Sequence, residues 1–147
     1  MKKLSTSCAV LTSFALSMVI FQTSCKKDPT TPNSSPHSIE GLWIGSYSVD
    51  GQPSLGEQYY SVVIKPDGTM IEDTKWSGKQ HLSIGTWKLD HDTLNYTATC
   101  VYGLTANVGT TEKHAAIFDA SKGTLSSGKW QNVPVSGSGT FTASKIN

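Results

Sequence analysis

The sequence predicts an all-β domain over residues 39–147, an eight-stranded antiparallel up-and-down barrel, and three observations lead there. From Ile39 onward, short segments rich in Thr, Val, Ile, Tyr and Trp alternate with turn residues. No segment beyond the N-terminal leader carries a convincing 3.6-residue apolar period, so helices have no amphipathic stripe to form on. Most connections are short enough for hairpins, which makes successive strands neighbours; joining the first strand to the eighth then removes both unpaired edges. A β-sandwich is the alternative, but its Greek-key crossings usually need longer connections.

Residues 1–24 read as a lipoprotein signal peptide. Lys2 and Lys3 form a basic n-region, an apolar stretch runs from Cys8 to Phe21, and Thr23 and Ser24 supply small residues ahead of Cys25. The stretch is shorter than the roughly 20 apolar residues of a membrane span, and Thr12, Ser13 and Ser17 interrupt it. Gln22 and Ser24 fit an ordinary small-x-small secretory cleavage site poorly. The pattern resembles the lipobox of exported bacterial lipoproteins. Gln22 stands where an aliphatic residue is usual, and Lys26-Lys27-Asp28 follows, which resembles the relaxed Bacteroidetes type. This resemblance implies that Cys25 is the lipid attachment site, acylated with palmitate-type chains. It also implies a place in the cell envelope, at the outer membrane.

Residues 25–38 make the lipidated cysteine and a tether. Pro29, Pro32 and Pro36 lie among Thr, Ser and Asn, and such a segment cannot bury enough apolar area to offset its ordering entropy. Strands are expected at about 41–49, 58–65, 69–76, 81–89, 93–102, 112–119, 123–130 and 138–146. Lys65-Pro66-Asp67-Gly68 suits a tight hairpin, with Pro66 pre-setting φ and Gly68 free to take φ > 0. Asp90-His91-Asp92 and Ala120-Ser121-Lys122-Gly123 are similar reversals, while 50–57 and 103–111 are longer loops.

Composition excludes some functions. All 12 basic residues are lysines, and two of them leave with the leader, so ten face eleven carboxylates in the mature chain. Nucleic-acid binding normally needs a basic face, commonly with arginine forks, and bidentate capture of anions needs arginine as well. Cys100 is the cysteine left over once Cys8 departs and Cys25 is acylated; a buried strand position suits it better than a reactive thiol.

Three Gly-x-Trp triplets, Gly41-Leu42-Trp43, Gly85-Thr86-Trp87 and Gly128-Lys129-Trp130, recur at spacings of 44 and 43 residues. Residues two apart on a strand share a face, so each glycine leaves room beside its indole or lets a neighbouring strand coil closely. The first-strand run Gly41-Leu42-Trp43-Ile44-Gly45-Ser46-Tyr47, the turn Ile64-Lys65-Pro66-Asp67-Gly68-Thr69 and the ending Gly137-Ser138-Gly139-Thr140-Phe141 resemble small bacterial lipocalin-like, or calycin-like, lipoproteins. In that family a first-strand Gly-x-Trp helps close one end of the barrel. Lipocalins proper often cover that tryptophan with an arginine from the last strand; here Lys145 is the only cation nearby in sequence.

Chemistry for an enzyme is missing from the motifs. There is no Gly-x-Ser-x-Gly elbow, no His-x-x-x-His and no paired-cysteine metal spacing. His37, His81, His91 and His114 are scattered, although His81 and His114 could meet across the barrel. Glu72 and Asp73 are adjacent, and strand alternation sends them to opposite faces. No catalytic residue, cofactor or metal is therefore expected. An eight-stranded barrel has room to be filled or to hold one small ligand. The expectation is a membrane-anchored binding module for a small apolar or amphipathic ligand, with Tyr59, Tyr60, Trp76, Tyr102 and Trp130 at its site and Trp43 and Trp87 in the core. The alternative is a surface-interaction or structural lipoprotein with a filled barrel, contacting protein or glycan through its loops.

Overall fold

In the computed structural model, residues 36–146 are described; the leader, Cys25 and the tether up to residue 35 lie outside them. The strands are β1 (Gly41–Val49), β2 (Gln58–Ile64), β3 (Thr69–Trp76), β4 (Lys79–Asp90), β5 (Thr93–Tyr102), β6 (Thr111–Asp119), β7 (Thr124–Val133) and β8 (Ser138–Lys145). Each pairs antiparallel with the next, and β8 returns to β1 from Trp43↔Lys145 to Val49↔Gly139. The result is the closed up-and-down barrel. Its one helical piece among the described residues is a 3-10 turn at Pro53–Leu55.

Local chemistry explains the reversals. At the β2–β3 hairpin, Gly68 takes φ 81°, and Asp67 Oδ1 accepts from Thr69 N at 2.9 Å and Thr69 Oγ1 at 2.6 Å. The β3–β4 turn is tighter than expected. Ser77 and Gly78 have φ of 50° and 75°, a pair of positive values that matches strand twist, so the ladder runs out to Trp76↔Lys79 and β4 begins before His81. Likewise β7 continues past Trp130 to Val133, after a bulge between Leu125 and Gly128.

Period-two alternation fills the interior. Trp43, Ile64, Met70, Leu94 and Leu125 are all 2% exposed or less and belong to one core cluster. Trp43 plugs one end. Its Nε1 donates to Ile39 O at 2.8 Å, Phe118 meets it edge-on at 5.7 Å, and Lys145 Nζ lies 6.0 Å from its ring centroid. Lysine thus stands over the first tryptophan as a cation from the last strand. Residues before β1 also seal this end: His37 N donates to Ala120 O at 2.8 Å, and Ile39 is buried. Packing on the barrel therefore begins within the expected tether, at His37. Trp87 is half-buried against the same cluster, and its Nε1 donates to Lys65 O at 2.8 Å.

The glycine of the second triplet serves strand approach. A Cβ on Gly85 would lie 1.9 Å from Thr97 O on β5, and one on Gly45 would lie 1.8 Å from Thr142 O on β8. Both collisions are with backbone, which cannot rotate away.

Truncating a buried aromatic typically costs about 3–5 kcal/mol. Trp43→Ala should therefore lose roughly that much stability, read as a lower urea midpoint at unchanged slope. A midpoint within error of wild type would remove Trp43 from the core.

Candidate functional site

The two barrel ends differ. At the Trp43 end the connections are short and the axis is filled. At the other end lie the 50–57 and 103–110 loops and the 134–137 connection, and between them opens a cavity of about 350 Å³. Its walls include Tyr47, Val49, Trp76, Trp130, Asn132 and Val135. Tyr47 comes from β1, and its hydroxyl reaches across to donate to Lys75 O at 3.1 Å. Trp130, from β7, donates its Nε1 to Ser48 O at 3.0 Å and meets Tyr47 edge-on at 6.0 Å. All three Gly-x-Trp indoles thus fasten a backbone carbonyl, two at the closed end and one at the mouth.

Below Tyr47 and Trp130 lies a second cavity of about 30 Å³, the room of roughly one water molecule. Tyr47 and Trp130 wall both spaces, and Glu72, Glu112, His114 and Thr74 join them around the smaller one. Alternation brings these groups inward: Glu72 and Thr74 from β3, Glu112 and His114 from β6. Tyr96 Oη donates to Glu72 Oε2 at 2.8 Å and shares a 2.5 Å hydrogen bond with Tyr60 Oη. His114 stacks on Tyr96 at 4.1 Å, with its Nε2 3.2 Å from Glu112 Oε2 and 3.6 Å from Glu72 Oε2. Side-chain exposure is 2% for Glu72, 3% for His114 and 28% for Glu112.

The electrostatics follow from burial. Desolvation raises the Glu72 pKa, with His114 opposing, Glu112 adding repulsion and the Tyr96 hydrogen bond opposing. Desolvation also raises the Tyr47 phenol to about 12, helped by Glu112 and Glu72. Burial pushes the Tyr60 and Tyr96 phenols well up as well. The site disfavours additional negative charge.

Glu72, Glu112 and His114 place ligand-type atoms within 4.8 Å of one another. Their geometry also has a metal-free explanation. His114 Nδ1 is buried without a partner, so a neutral ring is best satisfied with its proton on Nε2, donating to Glu112. A metal on Nε2 would move that proton to Nδ1, where it would find no acceptor, whereas metal-bound histidines almost always donate their other N–H.

The residues expected at the site divide. Trp130 and Trp76 line the mouth, and Tyr60 lines the small cavity beneath. Tyr59 and Tyr102 line neither space. Tyr60, Val62 and Ile64 face inward on β2, which turns Tyr59 outward, and Tyr102 is 60% exposed at the end of β5. His81 and His114 have different partners: His81 Nε2 is 3.1 Å from Asn107 Nδ2 beneath the 103–110 loop. Cys100 is buried, and desolvation raises its thiol pKa. The Glu72–Glu112–His114 group was missed. The available signal was Glu112-x-His114, two titratable side chains in the inward phase of one strand. Two lining side chains also carry buried atoms without a partner among the described residues, Trp76 Nε1 and Asn132 Oδ1.

No protein-family model matches the chain, and no curated protein or solved structure matches it.

Glu72 supplies a test by pH. Its raised pKa means that the folded state keeps the proton to higher pH than the unfolded chain does. Its contribution to stability is full below the ordinary value of 4.5 and is lost as pH rises through the folded value. Glu72→Gln has no such loss. Its midpoint minus that of wild type should rise between about pH 4 and pH 7 in denaturation curves; a flat or falling difference would contradict the assignment.

Proposed function

We propose that this protein is an exported lipoprotein, anchored through Cys25, whose barrel binds one small amphipathic ligand at its open end. The 350 Å³ mouth above a filled base is the observation that carries the reading. That volume lies at the lower end of the range for small-molecule sites, and its walls combine aromatic faces with a few polar groups. The ligand occupies the mouth and not the full barrel axis, because Tyr60 and Phe141, 5.0 Å apart, lie within the buried core below. The described chain begins at the closed end, where His37 meets Ala120. No group in the site is arranged for catalysis in this reading, and the protein acts by binding.

A surface-interaction lipoprotein is the second reading, favoured by the outer wall. Leu42, Val63, Ile71 and Ile84 pair successively across β1 to β4, and each is at least 36% exposed, which makes a contiguous apolar row facing solvent. A partner covering this row would leave the mouth free.

Two experiments test the proposal. Cys25→Ala should move the protein out of the membrane fraction or block its maturation, and unchanged fractionation and migration would exclude the anchor. Extraction of the purified protein followed by mass spectrometry, beside titration with a fluorescent apolar probe, should reveal a co-purified amphiphile or saturable one-site binding. Finding neither would exclude the binding module.

A further inference from the structure

Resting on the binding reading above, we propose that the ligand is a primary alkylammonium: its –NH₃⁺ group occupies the small cavity beside Glu112 and Glu72, and its apolar tail lies in the mouth. Charge is the first argument. The two cavities are walled by two carboxylates and by no lysine, and the chain has no arginine. An anionic head group would meet Glu112 and Glu72, and the one basic side chain beside them, His114, is already engaged by both. A neutral head group would bring no charge to Glu112, the more exposed of the two carboxylates at 28%, whose side-chain partner is His114.

Shape and donor count select among cations. The small cavity has the volume of about one water molecule, which an ammonium fills and a trimethylammonium exceeds. An –NH₃⁺ group has three N–H donors and no acceptor. Glu112, Glu72 and the Thr74 hydroxyl supply oxygen acceptors around that space. Tyr47 and Trp130 stand edge to face as shared walls of both cavities, so a ligand that spans the two lies against both rings. Aromatic faces favour a nearby cation as well as an alkyl chain. A metal ion is the competing cation, and the unpartnered Nδ1 of His114 opposes it for the reason given above.

Four probes of equal chain length decide the matter: octylammonium, octyltrimethylammonium, octanol and octyl sulfate. They are titrated calorimetrically at neutral pH into the full chain carrying Cys25→Ala, so that no lipid anchor contributes. Octylammonium should bind at least about tenfold more tightly than each of the others, in line with a charge-assisted contact to carboxylate. Glu112→Gln should cut its preference over octanol by at least about threefold, because one of the two carboxylates is removed while Glu72 stays. Octanol or octyl sulfate binding as tightly as octylammonium would overturn the proposal while leaving the binding cup intact. So would a preference that Glu112→Gln leaves unchanged. Equal affinity for octyltrimethylammonium would overturn the placement of the head in the small cavity. Failure of all four to bind would overturn this proposal and the binding reading together. If Glu112→Gln does not fold, the four-probe series on the unaltered site still decides between these outcomes.

Discussion

Pairing of β1 with β8 is the constraint on which the rest of the structure depends. Seven residue pairs, from Trp43↔Lys145 to Val49↔Gly139, join the two ends of the domain in sequence and leave the sheet without an edge. Closure requires the strands to coil closely, and at two inner-face positions that closeness excludes any side chain at all: a Cβ at Gly45 would overlap Thr142 O, and one at Gly139 would overlap Ser48 O. Those backbone contacts fall on the closing seam itself. The same register places Lys145 by Trp43 and so completes the plug at one end.

Once closed, the barrel has one axis and two unlike ends. Large apolar residues, Trp43, Ile64, Met70, Leu94 and Leu125 among them, fill the Trp43 end, and a polar layer of Tyr60, Tyr96, Glu72 and His114 crosses the middle. Burying carboxylate and phenol groups there is costly without partners. The Tyr60–Tyr96–Glu72 chain and the His114–Glu112 contact supply those partners, and each oxygen or nitrogen in the chain comes from a different strand or a different register position. The mouth lies beyond this layer.

Much of the fold was legible because alternation and turn chemistry are local signals. The strand pattern around Val62 and Ile64, the Pro66-Asp67-Gly68 turn and the Gly-x-Trp triplets each announce their geometry within a few residues. The site was only partly legible. Glu72 and Asp73 were separated onto opposite faces by alternation, and Glu72 is indeed buried while Asp73 is not. Alternation says which face a residue takes, yet it does not say which residues of distant strands share a level. Glu72 meets Glu112 and His114 through the stagger accumulated across β3 to β6, with a bulge at Leu82/Ser83, and no local pattern encodes that sum. Tyr59 is a different case: Tyr59-Tyr60 cannot both face inward, and the buried phase of Val62 and Ile64 selects Tyr60.

If a ligand sits at the mouth above a filled base, the four indoles report on it from known places. Trp130 and Trp76 wall the mouth, Trp43 lies at the closed end with no solvent exposure, and Trp87 is fastened to Lys65 O near that end. The direct measurement is the ¹H–¹⁵N spectrum of the indole N–H groups during titration with octanol, whose neutral head makes the result independent of charge. Progressive shifts are expected for Trp130 and Trp76, with Trp43 and Trp87 unmoved. Shifts at Trp43, or a titration that saturates with Trp130 and Trp76 unmoved, would contradict that placement.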